Sequence, residues 1–318
     1  MAETFNEALQ NFVAASLHPS PPVITLSHDP SIDGDDHTVY FIIEKPEYIL
    51  RVTKPFALRT CSGLEMQARD IAVRRMIQEG YQACGLPWDH ISDTIATQLL
   101  SEDGEYAASL DTRLQGVHLD PAHVTPATLQ GFVDLLRIMK AVDIGSLEER
   151  VGFRIPCREF PDLRQLRAVA LEAWARLVRQ GHISAVDYGD GVKDLLERKT
   201  ALIDEVGREP PRNVLLHSDI KELHVLVDAD SGRITGILDW ADASIGNPAE
   251  DISGLVLCVG ANFATRIAEE VGYLPHEIIQ GIVKARCERV LRLDEVLQGK
   301  DTVSPVEWRK RQLAVALL

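Results

Sequence analysis

The chain has 318 residues, 45% of them hydrophobic and 25% charged, a balance that suits a globular protein of two domains or one large one. Its 48 acidic against 33 basic residues leave a formal net charge of -15, which argues against a nucleic-acid partner and is compatible with a cationic small molecule, although solubility alone accounts for such an excess. No uninterrupted apolar run approaches the roughly 18 residues of a membrane span, the start MAETFNEALQ is acidic and amphipathic, and Cys61, Cys84, Cys157, Cys258 and Cys287 are scattered; a cytoplasmic chain with reduced thiols is expected.

Residues 4–17 place Phe5, Leu9, Phe12 and Val13 at helical spacing, and the prolines from Pro19 to Pro22 end that helix. Strand-like runs follow at 23–27, 38–43 and 47–52, with Lys45 and Pro46 marking the turn between the last two. A helix over 63–80 and a strand pair at 94–99 and 105–110 complete a strand-rich lobe that Gly116 closes. Beyond it the pattern predicts helices at 125–141, 163–180, 184–205 and 262–298, the last interrupted at Gly272 to Pro275 and at Gly281. One hairpin breaks this run: HVLVD and RITGILD, joined by ADSG with Gly232 in the turn. The expected fold is α+β and two-lobed: a small β-rich lobe over 1–115 and a larger, mainly helical lobe over 116–318.

Around the hairpin, His217, Asp219, His224 and Asp239 are ionisable groups set in apolar sequence. Burying such groups is costly unless they are paired, hydrogen-bonded or metal-bound, and they gather at active sites. With ADSG as the turn, the outer ends of the two strands return together, so His224 and Asp239 are expected to be neighbours, with Asp219 on the loop entering the hairpin. Two metal-ligating groups beside a separate carboxylate are what phosphoryl transfer requires: the metal neutralises phosphate oxygens and the carboxylate orients or deprotonates the attacking hydroxyl. Lys221 would then steady the transferred group, or is simply solvated. Plainer readings stand beside these: His217 as a hydrogen-bonded core residue, Asp242 as the cap of a following helix and Asp251 as an N-cap.

The composite LLHSDIKELHVLVD followed by GILDWADASIGNPAEDISGL resembles the catalytic and metal-binding segments of aminoglycoside phosphotransferases and their protein-kinase-like relatives. The resemblance implies a small-molecule kinase of that fold, using Mg2+ and ATP or GTP to phosphorylate a hydroxyl of an antibiotic-like, sugar or amino-alcohol substrate. It implies Asp219 as catalytic base, Lys221 as the lysine of the catalytic loop, and His224 and Asp239 as metal ligands. His217 and Asp251 would brace that loop. His at 224, where Asn is usual, is similar to the macrolide and 2''-aminoglycoside phosphotransferase branch.

Farther upstream, YILRV resembles the strand whose basic residue meets the nucleotide phosphates, here Arg51, with Asp70 or Glu65 as its carboxylate partner. Backbone groups from Thr112 to Leu114 would meet the base, and LEERVGFRIPCREFPDLRQLRA is a candidate acceptor-side segment. Three departures are notable. The loop SHDPSIDGDDH at 27–37 is acidic and holds one glycine, a poor anion cradle unless its aspartates face elsewhere. Ser218 and Ala241 stand where the family carries glycine, which suits backbone that avoids positive φ. These departures leave a kinase-like binding protein without catalysis as an alternative. A metal-dependent hydrolase using His217, Asp219, His224 and Asp239 is a further one.

Overall fold

A computed structural model describes residues 2–317 except 20, 22, 31–32, 57–60 and 185–211. In chain order the elements begin α1 (Ala2–Ser16), β1 (Leu26–His28), β2 (His37–Ile42), β3 (Tyr48–Thr53), α2 (Gly63–Ala83), β4 (Thr94–Leu99), β5 (Ala107–Thr112) and β6 (Val117–His118). They continue with α3 (Pro126–Ala141), α4 (Ile144–Val151), β7 (Cys157–Arg158), α5 (Leu163–Arg179), β8 (Val214–Leu216), β9 (Val225–Val227), β10 (Ile234–Ile237), β11 (Ser244–Gly246), α6 (Ala249–Val271), α7 (Pro275–Leu297) and α8 (Val306–Leu317). The expected helix over 184–205 falls almost wholly outside the described residues.

The chain divides into two compact units. The first comprises Met1–Gly116, Gly145–Arg154 and Thr235–Ala241; the second comprises Val117–Ile144, Ile155–Ile234 and Asp242–Leu318. Two short pieces from far along the chain thus complete the first.

In the first unit a five-stranded sheet of order β1-β2-β3-β5-β4 is antiparallel throughout. The helical spacing of α1 puts Leu9, Phe12 and Val13 into one core with Leu50 and Val52 of β3 and Leu110 of β5, each side chain removed from water contributing on the order of 2 kcal/mol. Strand β1 starts at Leu26, three residues later than expected, because Thr25 donates its N–H and hydroxyl to the Glu44 carboxylate at 2.8 and 2.6 Å. Helix α2 opens on a capping box in which the Ser62 hydroxyl accepts from the Glu65 N–H and the Glu65 carboxylate accepts from the Ser62 N–H. The late pieces are tied to this helix and its exit: Arg150 grips Glu79 with two bonds of 2.8 Å, the Ile237 N–H donates to His90 O at 3.0 Å, and Arg69 Nη2 donates to Ala241 O at 2.6 Å.

The second unit is mainly helical, as its periodicity predicts. Thr125 caps α3, whose first position is Pro126, and Asp162 caps α5. Strand β11 runs parallel to β7 and antiparallel to β8, while β6 pairs antiparallel with β9. The turn after β9 is closed by Asp228 N–H to Arg233 O at 2.9 Å, and Thr128 of α3 donates to Gly232 O at 2.7 Å. Gly232 has φ +70 and abuts Thr125 so closely that any side chain would collide.

Helices α6 and α7 meet at Gly272, which ends α6 in the left-handed conformation with φ 76. Gly281 does not interrupt α7 as expected. A Cβ there would lie 2.6 Å from Ile252 Cγ2, so the glycine serves close approach of α6. Among the described residues α6 alone is long and apolar enough to cross a membrane, and 72% of its apolar window is buried in the protein. Helix α8, short strand β7 and helix α4 were not legible in the sequence.

Candidate active site

Arg51 lies on β3, and the structure decides which helix carboxylate it meets. Its Nη1 is 3.1 Å from Asp70 Oδ2, whereas Glu65 is occupied in the α2 cap. The sequence did not reveal two further members of this cluster. Arg74, one helical turn past Asp70, places Nη2 and Nε 2.7 and 3.1 Å from the same oxygen, and also reaches Ser92 O at 2.6 Å. Asp111 on β5 accepts from Thr94 at 2.6 Å and Ser109 at 3.0 Å, and lies 3.5 Å from Arg74 and 3.8 Å from Arg51.

Burial works against the Asp70 carboxylate, yet the charges of Arg74 and Arg51 hold it well below the usual carboxylate range. Burial likewise opposes the Arg51 cation, and Asp70, Asp111 and Asp239, in that order, outweigh it. Asp239 therefore acts in the same field as Arg51. It has φ 63, a left-handed conformation that β-branched residues avoid, and Trp240 beside it is 1% exposed.

Within the loop 27–37 two of the aspartates, Asp33 and Asp36, turn on their own neighbours, while Asp29 and Asp35 are exposed. Asp33 accepts from the Val39 N–H at 3.1 Å and lies 3.1 Å from His28 and 3.7 Å from Lys54, while Asp36 meets His37 Nδ1 at 2.8 Å. Thr112 has its one N–H bonded to Asp93 O at 2.8 Å and its carbonyl accepting from Ser92 at 2.6 Å, and the Arg113 N–H is bonded to Glu47 O. Of the expected base-contacting segment, Leu114 is the residue whose backbone groups no described residue engages.

In the second unit the loop after β8 carries the candidate base. Asp251, third residue of α6, accepts the His217 N–H and the Ser218 N–H at 2.9 Å each. It is thus not the cap of its own helix, whose N-cap is Pro248. Asp242 caps no helix either, since strand β11 follows it. His217 is fully buried and its Nδ1 accepts the Asp219 N–H at 3.3 Å. Lys221 Nζ pairs with Asp219 Oδ2 at 2.7 Å, both partly exposed. His224 Nδ1 faces Asp219 O at 2.9 Å; a carbonyl only accepts, so Nδ1 holds a proton, which in the neutral ring leaves Nε2 as the lone-pair nitrogen.

Ser218 sits at φ 69, so the condition under which a serine in place of glycine is readily tolerated, a backbone that avoids positive φ, is not met at this position. The left-handed conformation costs a residue with a Cβ roughly 1–2 kcal/mol. Two contacts offset it: the amide bond to Asp251, and a 2.6 Å hydroxyl contact to Ser244 on β11. Ala241, by contrast, is not among the residues with positive φ.

Burial pushes the Asp251 carboxyl up to about 6, against the pull of His217 and the two amides. An unfolded aspartate titrates near ~3.9. Between these values the folded chain keeps a proton that the unfolded chain has released, so the Asp251 contribution to stability falls as pH rises through the window. Urea unfolding of wild type and Asp251→Asn from about pH 4 to pH 7 should show the wild-type value declining relative to the variant by about 3 kcal/mol. A difference that stays flat would mean that this carboxyl titrates normally.

Residues 30–278 match the phosphotransferase enzyme family (APH), and the chain belongs to that family. Its fold is α+β and protein-kinase-like, shared with aminoglycoside and macrolide phosphotransferases. The chain is similar to the GDP and kanamycin complex of APH(2")-IIia, with 14% identity, TM-score 0.59 and 96% of each chain covered. It is similar also to the GDP complex of wild-type aminoglycoside 2'-phosphotransferase-IIIa, with 15% identity, TM-score 0.56 and 96% of this chain and 95% of that one covered. A third likeness is to the apoenzyme of macrolide 2'-phosphotransferase MphH from Brachybacterium faecium, with 19% identity, TM-score 0.50 and coverage of 98% and 97%. A curated relative, the uncharacterized protein YcbJ of Bacillus subtilis (strain 168), is 33% identical over 75 residues. That match spans 24% of this chain and 24% of the relative's length.

Proposed function

We propose that this protein transfers the γ-phosphoryl group of ATP or GTP to a hydroxyl of a small, antibiotic-like acceptor, with Asp219 as the base. The observation that carries the reading is the loop of Asp219. Its carboxylate is partly exposed while its backbone is held from both sides, by His217 on the N–H and His224 on the carbonyl. Asp219 would accept the acceptor's hydroxyl proton as the oxygen attacks, a step in which positioning and charge supply most of the catalysis. Lys221, now on Asp219, would turn to a phosphoryl oxygen once that charge arrives. Arg51, steadied by Asp70, would hold the nucleotide phosphates.

Asp239 and His224 are the residues that would hold Mg2+, which when bound neutralises phosphate oxygens. Asp239 offers the carboxylate oxygen that a hard cation takes and nucleotide phosphates would supply further oxygens, whereas Nε2 of His224 would be a softer donor than the oxygens Mg2+ prefers. The nucleotide reading is supported by the GDP complexes of the similar structures and the acceptor reading by the kanamycin complex and the macrolide enzyme. A net charge of -15 favours the approach of a cationic acceptor. Pairing of Asp33 with His28 and Lys54 and of Asp36 with His37 turns two of the four aspartates at 27–37 onto neighbouring side chains, which supports an active enzyme over a binding protein.

Thermal unfolding with ATP or GTP, each with and without Mg2+, followed by turnover against aminoglycosides, macrolides and amino alcohols, tests the reading. A metal-dependent rise in Tm and nucleoside diphosphate release with at least one acceptor are expected. No shift with either nucleotide and no turnover would sink it.

A further inference from the structure

The loop of Asp219 carries one buried acid that phosphoryl transfer does not use. Glu222, between Lys221 and His224, is 8% exposed, and among the described residues its hydrogen-bond donors come from α8: Trp308 Nε1 at 2.8 Å and Gln312 Nε2 at 3.1 Å. The amide of Gln312 can point only one way, because its Oε1 faces Arg289 and Arg309 at 3.1 Å each, and guanidinium groups only donate. The Arg309 guanidinium also stacks over the Trp308 ring at 4.4 Å. Helix α8 is itself firmly seated. Leu313 and Leu317 lie in the core with Trp174, Val283 and Leu293, and Arg286 Nε donates to Ala316 O at 2.9 Å.

A helix present for packing alone would meet the loop with apolar side chains, since removing a carboxylate from water is costly unless donors repay the lost hydration. Here two side chains are aimed at one carboxylate. Glu222 opens the single turn Glu222–His224, which is closed by the His224 N–H on Lys221 O at 2.9 Å, and His224 reaches back to Asp219 O. Holding Glu222 therefore holds the turn from which Lys221 and His224 project.

We infer that α8 is a positioning element for the catalytic loop: Trp308 and Gln312 fix Glu222 and, through it, the placement of Lys221 and His224. The inference rests on the phosphotransferase reading above. Trp308, Gln312 and Glu222 touch neither substrate nor nucleotide in this account, so their effect should appear on turnover more than on binding.

The full-length variants Trp308→Phe and Gln312→Met each delete one donor, the first while keeping an aromatic ring and the second at similar size; Glu222→Gln keeps an acceptor oxygen where Glu222→Ala does not. Expected for the first two is a fall in kcat of about tenfold, with any rise in nucleotide KM smaller than that fall, together with faster hydrogen exchange of the 221–224 amides in the folded protein. Glu222→Gln should retain most of the activity that Glu222→Ala loses, and Arg292→Ala, at an exposed ion pair with Glu295, should match wild type. Lowered Tm with unchanged kcat and unchanged 221–224 exchange would overturn the inference. Should Gln312→Met not fold, Trp308→Phe decides, because it keeps an aromatic ring next to Cβ while removing the indole N–H. A wild type that turns over no nucleotide would overturn the phosphotransfer reading alone, and exchange in the same variants would still decide whether α8 governs the loop.

Discussion

Asp219→Asn should lower kcat by about 10³-fold while leaving Mg-nucleotide affinity within about twofold, since a positioned general base contributes roughly 10²–10⁴. The asparagine keeps the size of the side chain and removes its basicity. The loop should survive the change, because what holds it is the backbone: the 217 and 218 amides on Asp251, the 219 amide on His217 and the 219 carbonyl on His224. The lost contact to Lys221 is a half-exposed ion pair, of a kind that contributes about 1 kcal/mol or less. Steady-state kinetics beside calorimetric nucleotide binding separate the two effects. A decrease in kcat below about tenfold would remove Asp219 from the role of base.

The largest stability effect is expected at Asp70. One of its oxygens, Oδ2, takes Arg51 and both arms of Arg74, whereas Oδ1 has no partner among the described residues. Asp70→Ala strands two cations that are 15% and 3% exposed, leaving Asp111 as the nearest compensation. Removing one partner of such a buried cluster costs about 3–5 kcal/mol. Denaturant unfolding should register that loss, and nucleotide KM should rise because Arg51 is released. Replacing Asp70 and Arg74 together, by Leu and Met, should recover part of the stability without recovering KM. A single-variant loss under about 1 kcal/mol would show that the cluster contributes little to folding.

The sequence was most readable where a pattern is local. Strand β4 occupies the expected residues, α2 runs three residues past its expected end, and the turn at Gly232 lies where ADSG placed it. The candidate catalytic loop could be singled out because HSD, LDW and the GNPAED segment stand close together in the chain. What escaped was long-range or ambiguous. Arg74 and Asp111 are 37 residues apart, and nothing near either marks it as a partner of Arg51. Glycine at 281 signals a break in a helix and a tight packing face equally well, and only the proximity of Ile252 tells them apart. The short sequence VEWRKRQLAVAL spreads charge around much of α8, so its amphipathic face is faint until its neighbours are known. At 218, a serine gave no hint that the backbone adopts the conformation glycine prefers.

The first unit is assembled from three stretches of chain, the last ending at Ala241. During synthesis the β-rich sheet can form early, but Arg69 and His90 must wait for residues 237–241, more than 140 positions later, before their acceptor and donor arrive. The nascent chain therefore cannot finish its first unit before most of its second has been made. A chain truncated after Gly116 would expose the surface that those later residues cover, so the two units are unsuited to being exchanged as modules by simple recombination at that point.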